Sequence, residues 1–159
     1  MTANPVPIEQ IRASLLTLLE ETFEKGNVAY LDRGTSLFET LEGVDAETAS
    51  RAVSKTRSSI AAHVDHARFY LDVAQRSMRG EAVGEVDWKE SWRMQKVTPE
   101  EWEKLKGHLR QTYTGMLAAV KGQDAWDRPQ DVTDSLAVLA HTAYHLGAIR
   151  QALGTVGNR

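Results

Sequence analysis

The sequence contains no cysteine among its 159 residues. Disulfides, thiolate nucleophiles, cysteine-type zinc sites and iron–sulfur clusters are therefore excluded, and any metal has to be held by histidine, aspartate or glutamate. An excess of one charge is also absent, because 19 lysines and arginines nearly balance 22 aspartates and glutamates. The formal net charge of −3 provides no basic footprint, so we expect no nucleic-acid partner.

Long apolar runs are missing as well. No segment approaches the roughly 20 apolar residues that cross a bilayer, and the N-terminal stretch MTANPVPIEQ has neither a basic region nor an apolar region of a signal peptide. We therefore expect a cytoplasmic protein without a membrane partner. Glycine-rich phosphate-binding motifs and the G-x-S-x-G motif are absent too. Most of the chemical information lies in five histidines, namely His63, His66, His108, His141 and His145.

Four segments have apolar residues at helical spacing. The third has the clearest start, because Thr98 is a good N-cap, Pro99 suits the first helical position and Glu101 completes a capping box. The first predicted helix has its apolar stripe from Ile8 to Phe23 and stops at Gly26 and Asn27. The other three run from near Asp45 to about Met78, from Pro99 to Gly122, and from about Thr133 to Leu153. This pattern predicts an all-α four-helix bundle, formed by one domain over residues 1–159, with long connections after the first and second helices.

His141 and His145 lie four residues apart on the last predicted helix. Residues at this spacing share a helix face, with Cβ atoms roughly 5–6 Å apart, which suits two imidazoles on one metal. A chance pair is the alternative, since neutral histidines are often found partly buried and hydrogen-bonded. The helix is apolar almost all round, which indicates burial, and buried imidazoles need partners.

The second predicted helix offers the third ligand. At about 100° per residue, His63 lies roughly 60° from the centre of the apolar stripe and His66 roughly 120° from it. We therefore expect His63 at the shoulder of the core and His66 at the surface, with His108 also exposed. The predicted ligand set is His63, His141 and His145. Three imidazoles favour zinc, nickel, cobalt, iron or copper over magnesium or calcium, and three protein ligands leave a position open for water or substrate.

Two stretches, SSIAAHVDHARFYL and AHTAYHLGAIRQAL, resemble the DinB superfamily of DinB/YfiT-like bundles. The family pattern is a histidine on the second helix and an H-x-x-x-H followed by glycine on the last. It falls on His63, His141, His145 and Gly147. The resemblance implies a four-helix bundle, often a homodimer, and a divalent metal, commonly zinc or nickel. Family members include transferases that use low-molecular-weight thiols and a mycothiol-dependent maleylpyruvate isomerase.

Two classes of function remain open from the sequence. One is a metal-dependent enzyme acting on a small molecule, either a thiol S-transferase or a hydrolase, whose nucleophile would be a small-molecule thiolate or a hydroxide. Its electrophile would lie between the second and fourth helices. The other is a non-catalytic metal-binding or dimeric interaction module with a role in stress response. No convincing general base is visible: Asp65 and Asp72 lie near His63 on the second predicted helix, and we expect Asp65, which faces away from the apolar stripe, to be a solvated charge.

Several other residues have weaker functional interpretations. Tyr144 and Arg150 could line a pocket, although a packing or surface role is the simpler interpretation. Three loop tryptophans could cover the mouth of the site or simply close a bundle end, namely Trp88, Trp92 and Trp126. A strip of small residues on the last helix permits close approach of another helix, from the same bundle or from a second subunit. It consists of Ala140, Ala143 and Gly147.

Overall fold

The computed structural model of the protein describes residues 5–55, 57–122, 126 and 129–157. These residues form six α-helices and no β-strand, apart from an isolated bridge between Ser54 and Arg57. The helices are α1 (Ile8–Phe23), α2 (Leu37–Glu42), α3 (Ala46–Ser50), α4 (Ile60–Met78), α5 (Pro99–Gly122) and α6 (Pro129–Val156). A single 3₁₀ turn, Glu90–Trp92, lies in the connection between α4 and α5.

The four long helices form the bundle that the sequence predicts. α4 packs against α5 and α6, and α1 packs against the same two helices. Because α1 and α4 share both neighbours, they occupy opposite corners of the bundle. Consecutive long helices at opposite corners need a long connection, which accounts for the length of the segment between α1 and α4.

The connection between α1 and α4 contains two short helices instead of unstructured loop. α2 begins with a capping box: the Ser36 hydroxyl accepts the Glu39 backbone N–H, and the Glu39 carboxylate accepts the Ser36 N–H. The sequence signal is S-x-x-E in SLFE, directly before apolar residues. A helix of six residues is too short to have an apolar period, so periodicity does not detect it.

The prediction of one continuous second helix from Asp45 is wrong. Asp45 does act as an N-cap, since its carboxylate accepts the Thr48 backbone N–H at 2.7 Å, but the helix it starts is α3 and ends at Ser50. The chain is extended at Arg51, and α4 begins only after Ser59, whose hydroxyl accepts the Ala62 N–H. The sequence of residues 51–59 contains only two apolar residues, Ala52 and Val53, and so has no apolar period that would favour a helix with one buried face.

The third predicted helix is confirmed as α5, including Thr98 and Glu101 in a capping box. The fourth is longer than predicted. α6 begins at Pro129, where a proline without an N–H is tolerated, and it continues past Gly154 to Val156. At its end, an Arg51 guanidinium N–H donates to the Val156 carbonyl oxygen at 3.1 Å. A glycine inside a helix lowers its stability by only about 1 kcal/mol. Burial of Val156 and the hydrogen bond from Arg51 offset this loss, so α6 continues past Gly154.

The strip of small residues on α6 faces solvent. Ala140 and Gly147 are exposed, and among the described residues nothing lies within 4 Å of the position a Gly147 Cβ would take. Packing of this strip against another helix of the same bundle is therefore wrong. Within the described part of the chain, no helix is both long enough and apolar enough to cross a membrane.

Candidate metal centre

The α4 and α6 helices place four histidines between them. His63 and His66 lie on the first two turns of α4, which Ser59 caps, and His141 and His145 lie one turn apart in the middle of α6. Because α4 packs directly against α6, the two pairs of imidazoles meet in one cluster. His108 lies exposed on α5, as the sequence predicts, and takes no part in it.

The nitrogen atoms of this cluster are close together. His66 Nε2 lies 3.2 Å from His141 Nε2, and His63 Nδ1 lies 3.0 Å from His145 Nδ1. One ring nitrogen from each of His66, His141 and His145 lies within 4.8 Å of the other two. The structure therefore brings the three predicted ligands together and adds His66. The cluster of His66, His141 and His145 is compatible with metal binding.

The prediction that His66 points to the surface is wrong. Its side chain is only 7% exposed, because the 3₁₀ turn Glu90–Trp92 covers this face of α4. The Trp92 ring stacks on the His66 ring with centroids 4.1 Å apart. The angle of His66 around the helix axis, measured from the apolar stripe, does not show that a later loop folds back and covers this face of α4. A sequence signal for the burial of His66 was available: the connection that contains Ser91 and Trp92 is longer than two neighbouring helices require.

Ser91 fixes the tautomer of His66. The Ser91 hydroxyl donates its only hydrogen to the Trp88 carbonyl oxygen at 2.8 Å, and Ser91 Oγ lies 2.7 Å from His66 Nδ1. Since a hydroxyl donates once, Ser91 has to accept at its second contact, and His66 Nδ1 has to carry the proton. The lone pair of His66 is therefore on Nε2, which faces His141. In this state His66 can accept a hydrogen bond or bind a metal ion at Nε2.

The ring of His141 is held by stacking and by the contact of its Nε2 with His66. It stacks on Tyr70 with centroids 3.7 Å apart and an interplanar angle of 16°. Its Nδ1 is buried and has no hydrogen-bond partner among the described residues. Trp88 lies beside Tyr70, so the aromatic wall extends along this side of the cluster. Trp126 lies elsewhere, beside Arg12, and does not cover the site.

Burial keeps the imidazoles neutral. Loss of solvation lowers the pKa of His145 to about 3, helped by the proximity of three other imidazoles, and lowers the pKa of His141 to about 4, helped by His66. Burial also lowers the pKa of His63 and of His66. A low pKa means that the ring nitrogens are unprotonated near neutral pH, and an unprotonated nitrogen is what a metal ligand requires.

One groove opens onto the cluster. This His63 groove has a volume of about 740 Å³ and runs between the segment before α4 and the outer face of α6. His63 lines its inner end, and Arg57, Ala143, Tyr144 and Gly147 are among its other walls. Of the four clustered histidines, His63 is the one that lines this groove. Tyr144 does line this groove, while remaining 69% exposed.

The candidate acid–base residues have partners elsewhere. Asp65 is not solvated as predicted: it is 8% exposed and forms a 2.8 Å ion pair with Arg68. Asp72 accepts a hydrogen bond from Gln75 within the same helix. Arg150 donates to the Thr40 hydroxyl at 3.4 Å and is absent from the lining of the groove. None of these groups faces the histidine cluster as a free base.

Comparison with known proteins identifies the family. A family model described as the DinB superfamily matches residues 30–149, which include α2 to α5, most of α6 and all four clustered histidines. No curated protein and no solved structure gives a significant match to the sequence. The family match covers about three quarters of the chain and agrees with the resemblance carried by the two histidine-containing stretches. The chain belongs to the DinB superfamily.

Proposed function

We propose that the protein is a metal-dependent enzyme whose divalent transition metal is held by three histidines at the inner end of the His63 groove. The observation that carries this proposal is the set of ring nitrogens from His66, His141 and His145 that lie within 4.8 Å of one another. Their surroundings support catalysis more than a structural role, because a groove of about 740 Å³ is lined by His63, whose Nδ1 lies 3.0 Å from His145 Nδ1.

The spacing of the nitrogens fits a single ion. Two nitrogens bound to one tetrahedral zinc at 2.0–2.1 Å lie about 3.3–3.4 Å apart. The 3.2 Å between His66 Nε2 and His141 Nε2 is close to this value. A donor set made only of imidazoles suits zinc or nickel, and we propose one of these as the native ion.

Two versions of the site differ in which histidine of α4 is the third ligand, His66 or His63. The tautomer fixed by Ser91 directs the lone pair of His66 at His141, which supports His66, His141 and His145 as ligands. The set predicted from the sequence, His63, His141 and His145, stays a prediction, supported by the 3.0 Å contact between His63 and His145. In the first version His63 would not hold the ion but would contact the ligand His145 and line the groove.

Residues around the cluster hold the histidine rings in place. When bound, the ion supplies positive charge that favours the deprotonated form of a nucleophile. Ser91 and Trp92 hold the His66 ring, Tyr70 holds the His141 ring, and these contacts keep the ligands oriented before substrate arrives. Because the chain has no cysteine, a thiolate nucleophile would have to come from a small molecule. We therefore propose transfer of a low-molecular-weight thiol to an electrophile bound in the His63 groove.

We further propose that the protein is a homodimer. Leu136 is 49% exposed on the same outer side of α6 as the exposed Ala140, and neither residue lines the His63 groove. A large apolar side chain beside a small residue allows a second helix to approach closely, and two-fold pairing through this part of α6 would leave the groove open. Light scattering at micromolar concentration should give twice the chain mass, and a monomer mass would contradict the proposal.

Metal content tests the ligand set. We expect one zinc or nickel ion per chain, measured by mass spectrometry of elements on protein purified without a histidine tag. His145→Ala and His66→Ala should lose the ion, whereas His108→Ala, which changes an exposed histidine on α5, should keep it. If His63→Ala loses the ion and His66→Ala keeps it, the ligand set predicted from the sequence is the correct one. Circular dichroism checks that each variant is folded.

Turnover tests the reaction class. Metal-loaded protein, metal-free protein and His141→Ala are each assayed with a panel of thiols and with an epoxide or an aryl halide as electrophile. We expect thiol transfer only in the metal-loaded protein. Metal-dependent ester cleavage without thiol would indicate a hydrolase instead. Equal rates in all three samples would contradict catalysis and favour a metal-binding or interaction module.

A further inference from the structure

The His63 groove carries an arginine whose charge is not neutralised by any described neighbour. Arg57 lines the groove, is exposed, and forms no ion pair with any residue that the structure describes. Its backbone is held in place, because the Arg57 N–H donates to the Ser54 carbonyl oxygen across a tight turn. None of the described residues that line the groove is acidic. The charge that the groove presents to a ligand is therefore positive.

The α6 side of the groove is largely apolar. Its α6 side consists mainly of small residues, including Ala143, Gly147, Ala148 and Ala152, so a ligand can lie directly along the helix. Ser58, Tyr144 and Thr155 supply hydroxyl groups to its lining. The volume of about 740 Å³ lies within the range of about 300–1,000 Å³ for small-molecule sites. This combination suits a ligand with an apolar body and one charged end.

A second groove near the cluster has the opposite charge. It has a volume of about 230 Å³ and is lined by Tyr70, Trp88, Asp131 and Asp134 among others. Two carboxylates and two aromatic rings disfavour an anion there. The two grooves therefore differ in the sign of charge they accept, and an anionic ligand is directed to the His63 groove.

We propose that the His63 groove binds a small organic carboxylate, with its carboxylate paired to Arg57 and its apolar body lying along α6 towards His63. This inference rests on the proposed function, because it places the far end of the ligand beside the histidine cluster. A single guanidinium matches a monoanionic carboxylate, to which it donates two parallel hydrogen bonds. The proposal identifies the substrate class as a carboxylate-bearing electrophile and makes Arg57 a specificity-determining residue.

The test compares three probes of the same shape and different charge. Phenylbutyrate, phenylbutyramide and phenylbutylammonium are titrated into the metal-free full-length protein, and dissociation constants are taken from two-dimensional amide NMR spectra. Arg57→Gln removes the charge and Arg57→Lys keeps it. Arg33→Gln is the matched control, because Arg33 is an exposed arginine that does not line the groove.

In the wild-type protein we expect phenylbutyrate to bind about threefold or more tightly than phenylbutyramide, with phenylbutylammonium the weakest. The shifted amides should include those of Ala143 and Gly147. Arg57→Gln should abolish the preference, whereas Arg57→Lys and Arg33→Gln should retain it. Equal affinities for the three probes, a preference unchanged by Arg57→Gln, or shifts confined to the groove beside Trp88 would overturn the proposal.

Failure of this proposal and failure of the proposed function are distinguishable. The probe titrations use no metal and no turnover, so they report only on the groove. A carboxylate preference in a protein that binds no metal supports the groove proposal and contradicts the metal-dependent enzyme. Thiol transfer that is metal-dependent, but equally fast with carboxylate-bearing and neutral electrophiles in wild type and Arg57→Gln, does the reverse.

Discussion

Replacing Ser91 with alanine tests the physical argument for the metal centre most directly. Ser91 is 1% exposed and touches the cluster through one hydrogen bond, from His66 Nδ1 to its hydroxyl oxygen at 2.7 Å. Ser91→Ala removes the acceptor, leaves the Nδ1–H buried without a partner and frees the other tautomer. The substitution also deletes the hydrogen bond to the Trp88 carbonyl oxygen, while it changes no proposed metal ligand.

Two magnitudes follow from this contact. In the metal-free protein, an unpaired buried N–H costs about 1–3 kcal/mol of unfolding free energy. For a chain of this size, each kcal/mol lowers the melting temperature by about 2–4 °C. In the metal-loaded protein, loss of a group that orients a ligand typically weakens metal affinity by about 10- to 100-fold. We therefore expect Ser91→Ala to be less stable and, separately, to bind zinc more weakly.

A matched control separates the two effects. Ser36 is equally buried, and as the N-cap of α2 its loss costs about 1 kcal/mol, but it has no contact with the histidines. Ser36→Ala should therefore lose stability without losing metal affinity. Affinity is measured by competition with a chromogenic chelator at fixed pH, and stability by thermal unfolding of the metal-free forms. Equal zinc affinities for Ser91→Ala and Ser36→Ala would refute the assigned tautomer and the role of His66 as a ligand.

Three further predictions concern stability. Burial lowers the pKa of His141 and His145 below the value of about 6.5 that they have in the unfolded chain, so the unfolded chain binds more protons than the folded one as the pH falls. The urea midpoint of the metal-free protein should therefore drop between pH 7.5 and 5. His145→Gln should make this drop smaller, and an equal drop in the variant would contradict the prediction. Burial raises the pKa of Glu21, but its hydrogen bonds from four backbone N–H groups in residues 27–31 outweigh burial and hold the pKa below its usual range. Glu21→Gln should therefore lower the melting temperature by several degrees. Glu20→Gln, which changes an exposed neighbour, should not. Trp102 donates its indole N–H at 2.6 Å to a buried carbonyl oxygen in the α2–α3 connection; Trp102→Phe should cost about 1–3 kcal/mol in urea unfolding, and a cost below about 0.5 kcal/mol would show that the bond contributes little.

Local signals in the sequence determined much of the fold. Helix α5 and its capping box follow from TPEEW, because caps and helical periods depend on residues within one or two turns of each other. The four-helix bundle follows from four long apolar stripes, each of which needs a buried partner. The pairing of His141 with His145 on one face also follows from spacing alone, since four residues make about one turn. The absence of cysteine by itself restricts the metal ligands to histidine and the carboxylates.

The tertiary structure decided what depends on distant parts of the chain. His66 is buried because a 3₁₀ turn about 25 residues further along the chain returns to cover it, and a helical angle on α4 contains no information about that turn. The tautomer of His66 depends on where the Ser91 hydroxyl sends its one hydrogen, which the fold of the α4–α5 connection determines. The His63 groove likewise exists only because the segment before α4 is not helical and places Val53, Arg57 and Ser58 beside α6. Sequence set the residue types that can hold a metal, and packing between separate segments set which of their atoms meet.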